Sequence, residues 1–338
     1  DDADPDGFSR ALWKEMAALG WAGMLLPEEY GGVDFGVVGL GTITQEAGRT
    51  LAATPLISTV ALASRLILNG GDDTQRKTYL PRIATGELLA CLAIDEGAHH
   101  TAIPSMQVVR ADGGWRLSGD KTMVIDGHIA DVVLVAAKGD NAHPAVFAIN
   151  AETPGLTVTR LNTVDSRNLA NMSFKDVQVT EANRLGYITR AVLDDALDVA
   201  RSALASEMLG GAVEAFERTI DYLKMRDQFG QPIGSFQALQ HRAATLFGEV
   251  ELGKSTVIAA LSGFDEGANN ADALASLAKA KTNKLFQSVS QEAIQMHGGI
   301  GMTDDEEIGF FIKRARACEQ LLGTQRFHRA RYASLNGF

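Results

Sequence analysis

Two stretches of this sequence combine side chains able to hold an anionic group with glycines that let backbone approach closely. The first reads Arg226-Asp227-Gln228-Phe229-Gly230-Gln231-Pro232-Ile233-Gly234-Ser235-Phe236-Gln237. A guanidinium offers paired donors to a phosphate or carboxylate, whatever the net charge of the chain. The second reads Gln295-Met296-His297-Gly298-Gly299-Ile300-Gly301. Each stretch also has a plain structural reading as punctuation between helices. Arg226 suits a helix C-terminus through the dipole, Gly230 a left-handed cap, Pro232 a stop and Ser235 the cap of the next helix. By spacing alone punctuation is the better reading, and a GG-x-G run is a weak signal. His99-His100 invites a metal reading, but adjacent histidines on a strand would point to opposite faces with no ligand close in sequence, so no metal site is expected.

The elements that must position these stretches follow from periodicity. From residue 8 to 86 the apolar spacing is helical: Phe8, Leu12, Met16 and Leu19, then Leu62 and Leu66, then Tyr79 and Ile83, broken by Pro27, Gly31-Gly32 and Gly70-Gly71-Asp72. From about residue 88 short β-rich runs take over: Leu88 to Ile94, Trp115 to Leu117, Val132 to Val135, Ala145 to Ile149 and Leu156 to Thr159. Turns such as Asp112-Gly113-Gly114, Asp126-Gly127 and Gly139-Asp140-Asn141 divide them, with no helix-length insert. An antiparallel barrel or sandwich is expected. After residue 190 four long amphipathic patterns imply a four-helix bundle: Leu209 to Leu223, Phe236 to Val250, Leu274 to Val289, and residues 305 to 322. The expected class is therefore α+β in three domains, 1–87 helical, 88–187 β and 188–338 a bundle.

Composition bounds the rest. With 338 residues, 46% of them hydrophobic and 22% charged, the chain is long enough for several packed domains and is not disordered. A net charge of −11 argues against a nucleic-acid backbone as partner. No apolar run approaches the length of a membrane span, and Asp1-Asp2-Ala3-Asp4 is unlike a signal peptide. Two cysteines, Cys91 and Cys318, point to a reducing compartment, the cytoplasm. A helical pattern that begins almost at residue 8 suggests a truncated start or a missing leader.

Taken together, the motifs resemble the acyl-CoA dehydrogenase family: R-x-x-F-G-x-P-I-x-x-F-Q at 226–237, Q-x-x-G-G-x-G at 295–301, and the P-x-x-Y-G-G of Pro27 to Gly32, within helix–barrel–helix order. The resemblance covers nearly the whole chain. It implies FAD, an acyl-CoA thioester substrate, α,β-desaturation, an electron-transfer acceptor and a tetramer built as a dimer of dimers. It carries FAD contacts onto Arg226, Gln228, Phe229, Phe236, Gln237, Gln295, Gly298, Gly299 and Thr324, and thioester contacts onto Asp198, Arg201 and Gly323. FAD's pyrophosphate suits Arg and backbone N–H donors, and its adenine suits an apolar slot with an amide, which these residue types supply. In the family these segments reach the neighbouring subunit's flavin.

The departures from the pattern are equally specific. Desaturation needs a base for the α-proton, and the family's Glu positions fall on Leu322, in Leu321-Leu322-Gly323-Thr324, and on Ala200, in Asp198-Val199-Ala200-Arg201. Neither side chain is a base. The flavin-wrapping T-E-P-x-A-G-S becomes Ile94-Asp95-Glu96-Gly97-Ala98-His99-His100, and W-I-S/T-N-G becomes Met123-Val124-Ile125-Asp126-Gly127. Segments serving a neighbour's flavin are kept while those serving the chain's own are replaced, so the chain looks like a catalytically degenerate subunit of a bacterial α2β2 acyl-CoA dehydrogenase. Two alternatives stay open. One is a homotetrameric enzyme with a displaced base, Glu319 or Asp195, each of which reads equally as an ordinary helix charge. The other is a non-catalytic binding or scaffold protein on the same fold.

Overall fold

The computed structural model describes residues 6–111, 113–139 and 143–338. The expected turn at Asp112 and the residues Asp140 and Asn141, like Asp1 to Asp4, lie outside the described residues. The chain divides into two compact units, one of residues 1–40, 53–200 and 321–323, the other of residues 41–52, 201–320 and 324–338.

The first unit opens with helix α1 (Arg10–Ala18), whose N-cap Ser9 accepts from Leu12 N at 3.2 Å. Helix α2 (Gly36–Arg49) follows, its first turn in this unit and the remainder in the other. A fully buried π-helix (Leu56–Ala63) leads into α3 (Ser64–Gly70) and α4 (Asp73–Ala84), which starts at a capping box of Asp72 and Gln75.

Two sheets then share one apolar core. The first is ordered β1 (Ala90–Ala93), β4 (Val132–Lys138), β5 (Pro144–Asn150); the second is β2 (Val108–Ala111), β3 (Gly114–Ile125), β7 (Leu169–Val179), β6 (Leu156–Leu161). Cys91, Leu117, Val133, Phe147, Met172 and Phe174 lie between them. The sandwich is antiparallel with one exception, the β1–β4 pair, which is parallel because the long 94–131 connection carries β2 and β3 before returning. β3 extends well beyond its expected 115–117 core. Register shifts between Leu117 and Gly119 and between Lys121 and Val124 interrupt its alternation.

The second unit holds most of α5 (Arg190–Met225), with α6 (Gln237–Asp265), α7 (Ala271–His297), α8 (Ile308–Gln320) and α9 (Gln325–Leu335). Phe286 on α7 reaches Gly211 on α5, and Leu285 reaches Gly253 on α6, so α7 packs against both neighbours. The four expected helices are present, and α9 is a further one.

Candidate flavin-binding segments

In the second unit the Arg226–Gln237 stretch is a hairpin between helices rather than plain punctuation. β8 (Asp227–Gln228) pairs with β9 (Gln231–Pro232), and the two turn residues, Phe229 and Gly230, have φ of 57° and 80°. Positive φ at both central positions is what a two-residue hairpin of this hand requires, and glycine meets it without steric cost while phenylalanine does not. The left-handed role expected of Gly230 holds. Ser235 does not cap α6: its hydroxyl donates to Pro232 O at 2.7 Å inside a 3-10 turn, and Phe236 takes the N-cap place without a side-chain bond.

The hairpin projects its chemistry outward. Phe229 is 83% exposed, its ring edge-on to that of Phe236 with centroids 6.2 Å apart. Arg226, Gln228 and Gln237 are exposed, and the Arg226 guanidinium has no ion-pair or hydrogen-bond partner among the described residues. Tyr222, one turn before Arg226, stacks on His297 at 4.3 Å, and the His297 Nδ1 lies 2.8 Å from Ala293 O. This ring pair brings the two distant motifs together. Beyond His297, Gly298 has φ of 66°, and neither Gly298 nor Gly299 has any atom within 4 Å of where a Cβ would stand. Both glycines and Gln295 are exposed. An unpaired guanidinium, exposed amides and an open diglycine fit the pyrophosphate and adenine of FAD.

The remaining residues of the second unit lie deeper. Thr324 is the N-cap of α9 and accepts from Phe327 N. Arg201 is fully buried, its guanidinium 5.5 Å from the Phe327 ring centroid. Glu319 lies 3.5 Å from Arg316.

The replaced segments of the first unit are tied into the protein itself. Lys121 is fully buried and donates to Glu96 Oε1 at 2.6 Å, Ile94 O at 3.1 Å and Ala136 O at 2.5 Å. Glu96 also accepts from Ser105 N and Met106 N. Burial pushes the Glu96 carboxyl up, but Lys121, Ser105 and Met106 outweigh it and hold the group below the usual carboxylate range. Burial likewise pushes the Lys121 ammonium down, against the opposing pull of Glu96. His99 and His100 sit in a loop rather than on a strand; the His100 Nδ1 lies 2.9 Å from both Asp95 oxygens. No group of three metal-ligating side chains gathers among the described residues. Ile125 is buried and brings no hydroxyl. Asp126, at φ of 56°, accepts from Ser58 of the π-helix at 2.5 Å, a contact that sequence spacing did not disclose.

Of the base positions, Leu322 is buried with φ of 56°, followed by Gly323 at φ of 115°, and Ala200 is fully buried on α5. Asp198 is also buried. Asp195 accepts from Arg65 Nε at 2.7 Å, Arg65 Nη2 at 3.0 Å and Asn69 Nδ2 at 3.0 Å, so its oxygens are already engaged.

Residues 1–87, 92–177 and 190–334 match the N-terminal, middle and C-terminal domains of acyl-CoA dehydrogenase in turn. The chain belongs to the acyl-CoA dehydrogenase family. It is 30% identical to mitochondrial isovaleryl-CoA dehydrogenase of Pongo abelii, over 95% of this chain and 79% of the relative, and 28% identical to an acyl-CoA dehydrogenase of Bacillus subtilis, over 96% and 89%. Among solved structures, a Tcur3481–Tcur3483 steroid ACAD variant superposes with a TM-score of 0.89 at 32% identity, covering 99% of this chain and 90% of that one. The ChsE4–ChsE5 complex from Mycobacterium tuberculosis gives 0.91 at 26%, covering 100% and 91%. The family's members are FAD-dependent oxidoreductases, and FAD is the cofactor that goes with this chain. No helix among the described residues is long and apolar enough to cross a membrane.

Proposed function

We propose that this chain is the subunit of a heteromeric acyl-CoA dehydrogenase that contributes its hairpin and diglycine segments to FAD, while a paralogous chain supplies the α-proton base. One contrast carries the reading: Arg226, Gln228, Gln237, Gln295, Gly298 and Gly299 of the flavin-type segments stand exposed, whereas both family base positions hold alkyl side chains, Leu322 and Ala200. FAD, when bound, accepts the hydride that leaves the substrate β-carbon as the α-proton goes to the base. In this role Arg226 holds the pyrophosphate, Gln228 and Gln237 present amides to the nucleotide, and Phe229 and Phe236 offer apolar faces to it. Gln295, Gly298, Gly299 and Thr324 complete the segment with polar groups and backbone amides. Asp198, Arg201 and Gly323 belong to the thioester side. Leu322 can neither hold nor move a proton, so the chain alone has no group for the α-proton at that position.

The reading includes the three-part division 1–87, 88–187 and 188–338, an α2β2 assembly, an electron-transfer acceptor and a reducing, cytoplasmic setting. Cys91 and Cys318, both buried and neither in a disulfide, support that setting. Two of the structural neighbours carry paired names, Tcur3481–Tcur3483 and ChsE4–ChsE5, the second described as a complex, which supports a two-chain assembly. The test is co-expression with a paralogue encoded nearby, followed by turnover of isovaleryl-CoA and of a steroid-type CoA thioester with an artificial electron acceptor. Oxidation is expected only when both chains are present, and it should disappear when the partner's base is changed to Gln. Turnover no greater than that of either chain alone overturns the proposal.

A further inference from the structure

Seven of the nine methionines are buried or half-buried, and the other two stand open, Met225 at 76% exposure and Met302 at 79%. Their places are not scattered. Met225 is the last residue of α5, directly before Arg226, and Met302 closes the 3-10 turn Gly298–Met302, directly after Gly301. Each flavin-type segment of the second unit thus carries one open thioether at its edge. The Tyr222–His297 stack joins the two segments, and Tyr222 lies on α5 within one turn of Met225. Met296, beside His297 in the same motif, is by contrast buried.

An open methionine has two chemical consequences. Its long unbranched side chain offers adaptable apolar surface to whatever docks against the segment, next to the exposed Phe229 and Ile300. Its sulfur is also a site of oxidation, at a rate that follows solvent access. With hydrogen peroxide the sulfur lone pair attacks one oxygen and forms the S–O bond, the O–O bond breaks, and the departing hydroxide takes the remaining proton to become water. The thioether is oxidised by two electrons and the peroxide reduced by the same two. A sulfoxide is polar, so setting it into an apolar contact buries a dipole without a partner and weakens that contact. A reduced flavin that passes its electrons to dioxygen yields peroxide, so the oxidant arises where these segments act.

We propose that Met225 and Met302 form a paired oxidation site, at which hydrogen peroxide converts both thioethers to sulfoxides and loosens the grip of the two segments on FAD. The proposal rests on the flavin role of those segments and not on the heteromer. Methionine sulfoxide reductases reverse the change.

The full chain is treated with hydrogen peroxide, and the added oxygen is located by peptide mass measurement. Met225 and Met302 are expected to oxidise at least tenfold faster than Met296 and the other six. FAD retained after gel filtration is then compared before and after peroxide, in whichever assembly holds flavin, this chain alone or with its paralogue. Retention should fall at least fivefold when the chain is oxidised before assembly, and methionine sulfoxide reductase should restore it. In the assembly already loaded with FAD, both thioethers should be protected. The double variant Met225→Leu with Met302→Leu keeps the apolar surface without the sulfur, so it should retain FAD as the wild type does and keep it after peroxide. Oxidation of the buried methionines as fast as these two, unchanged retention in the oxidised wild type, or an equal loss in the double variant overturns the proposal. Absence of FAD from every untreated form contradicts the flavin role of the segments instead, and the order of oxidation then decides the site by itself.

Discussion

The hairpin of the second unit and the 94–126 region of the first show how differently two flavin-type regions of one chain can be finished. At the hairpin, Arg226, Gln228, Phe229 and Gln237 are exposed, and Phe229 holds a φ that costs a non-glycine residue roughly 1–2 kcal/mol. In the 94–126 region the polar groups answer one another: Lys121 with Glu96, His100 with Asp95, Ser58 with Asp126. Buried polar groups carry a large penalty unless paired, so a region whose polar groups lie away from water is expected to close on itself. A region that keeps strain and unpaired donors at the surface is expected to have something to hold.

Breaking the closed region should have the largest effect. Lys121→Ala leaves Glu96 and two carbonyls without their shared donor, and removing one partner of a buried pair costs about 3–5 kcal/mol. Chemical denaturation should report that loss in the chain with or without FAD. Acid strikes the same contact. The Glu96 carboxyl titrates below the usual carboxylate range when folded, so its contribution is fully present above that range and is lost as pH falls through the lowered value. Melting temperature followed from pH 7 toward pH 3 should fall in the wild type, and more shallowly in Lys121→Ala.

The open region should respond in the opposite currency. Arg226→Ala removes a charge-assisted contact worth about 1.5–3 kcal/mol, so FAD affinity should fall roughly ten- to a hundredfold while stability changes by at most ~1 kcal/mol. FAD retained after gel filtration of the flavin-bearing assembly measures this. Retention equal to wild type would reduce Arg226 to a helix-terminal cation. The smallest effect is expected from Phe229→Asn, which relieves the left-handed strain: a gain of about 0.5–1 kcal/mol in stability, accompanied by weaker FAD retention.

Much of this contrast is legible in the sequence because both candidate flavin segments are local. Arg226 to Gln237 and Gln295 to Gly301 each fit in one turn or loop, and the left-handed conformation expected of Gly230 is present, with φ of 80°. The long helices are legible for the same reason, since their period is sustained. β7 was not, because Asn171, Ser173, Lys175 and Asp176 dilute its apolar set, and an edge strand of four residues such as β2 carries too little pattern. The parallel pairing of β1 with β4 depends on a connection of nearly forty residues, beyond the reach of periodicity. The contacts Tyr222–His297, Lys121–Glu96 and Ser58–Asp126 join residues 25 to 75 positions apart, and no local signal announces them.

Flavin stoichiometry tests the central claim most directly. The account predicts that the chain purified alone retains little FAD, and that the assembly with its paralogue carries flavin whose retention depends on Arg226 of this chain. An isolated chain that holds one FAD per protomer, with absorbance unchanged in Arg226→Ala, would contradict it.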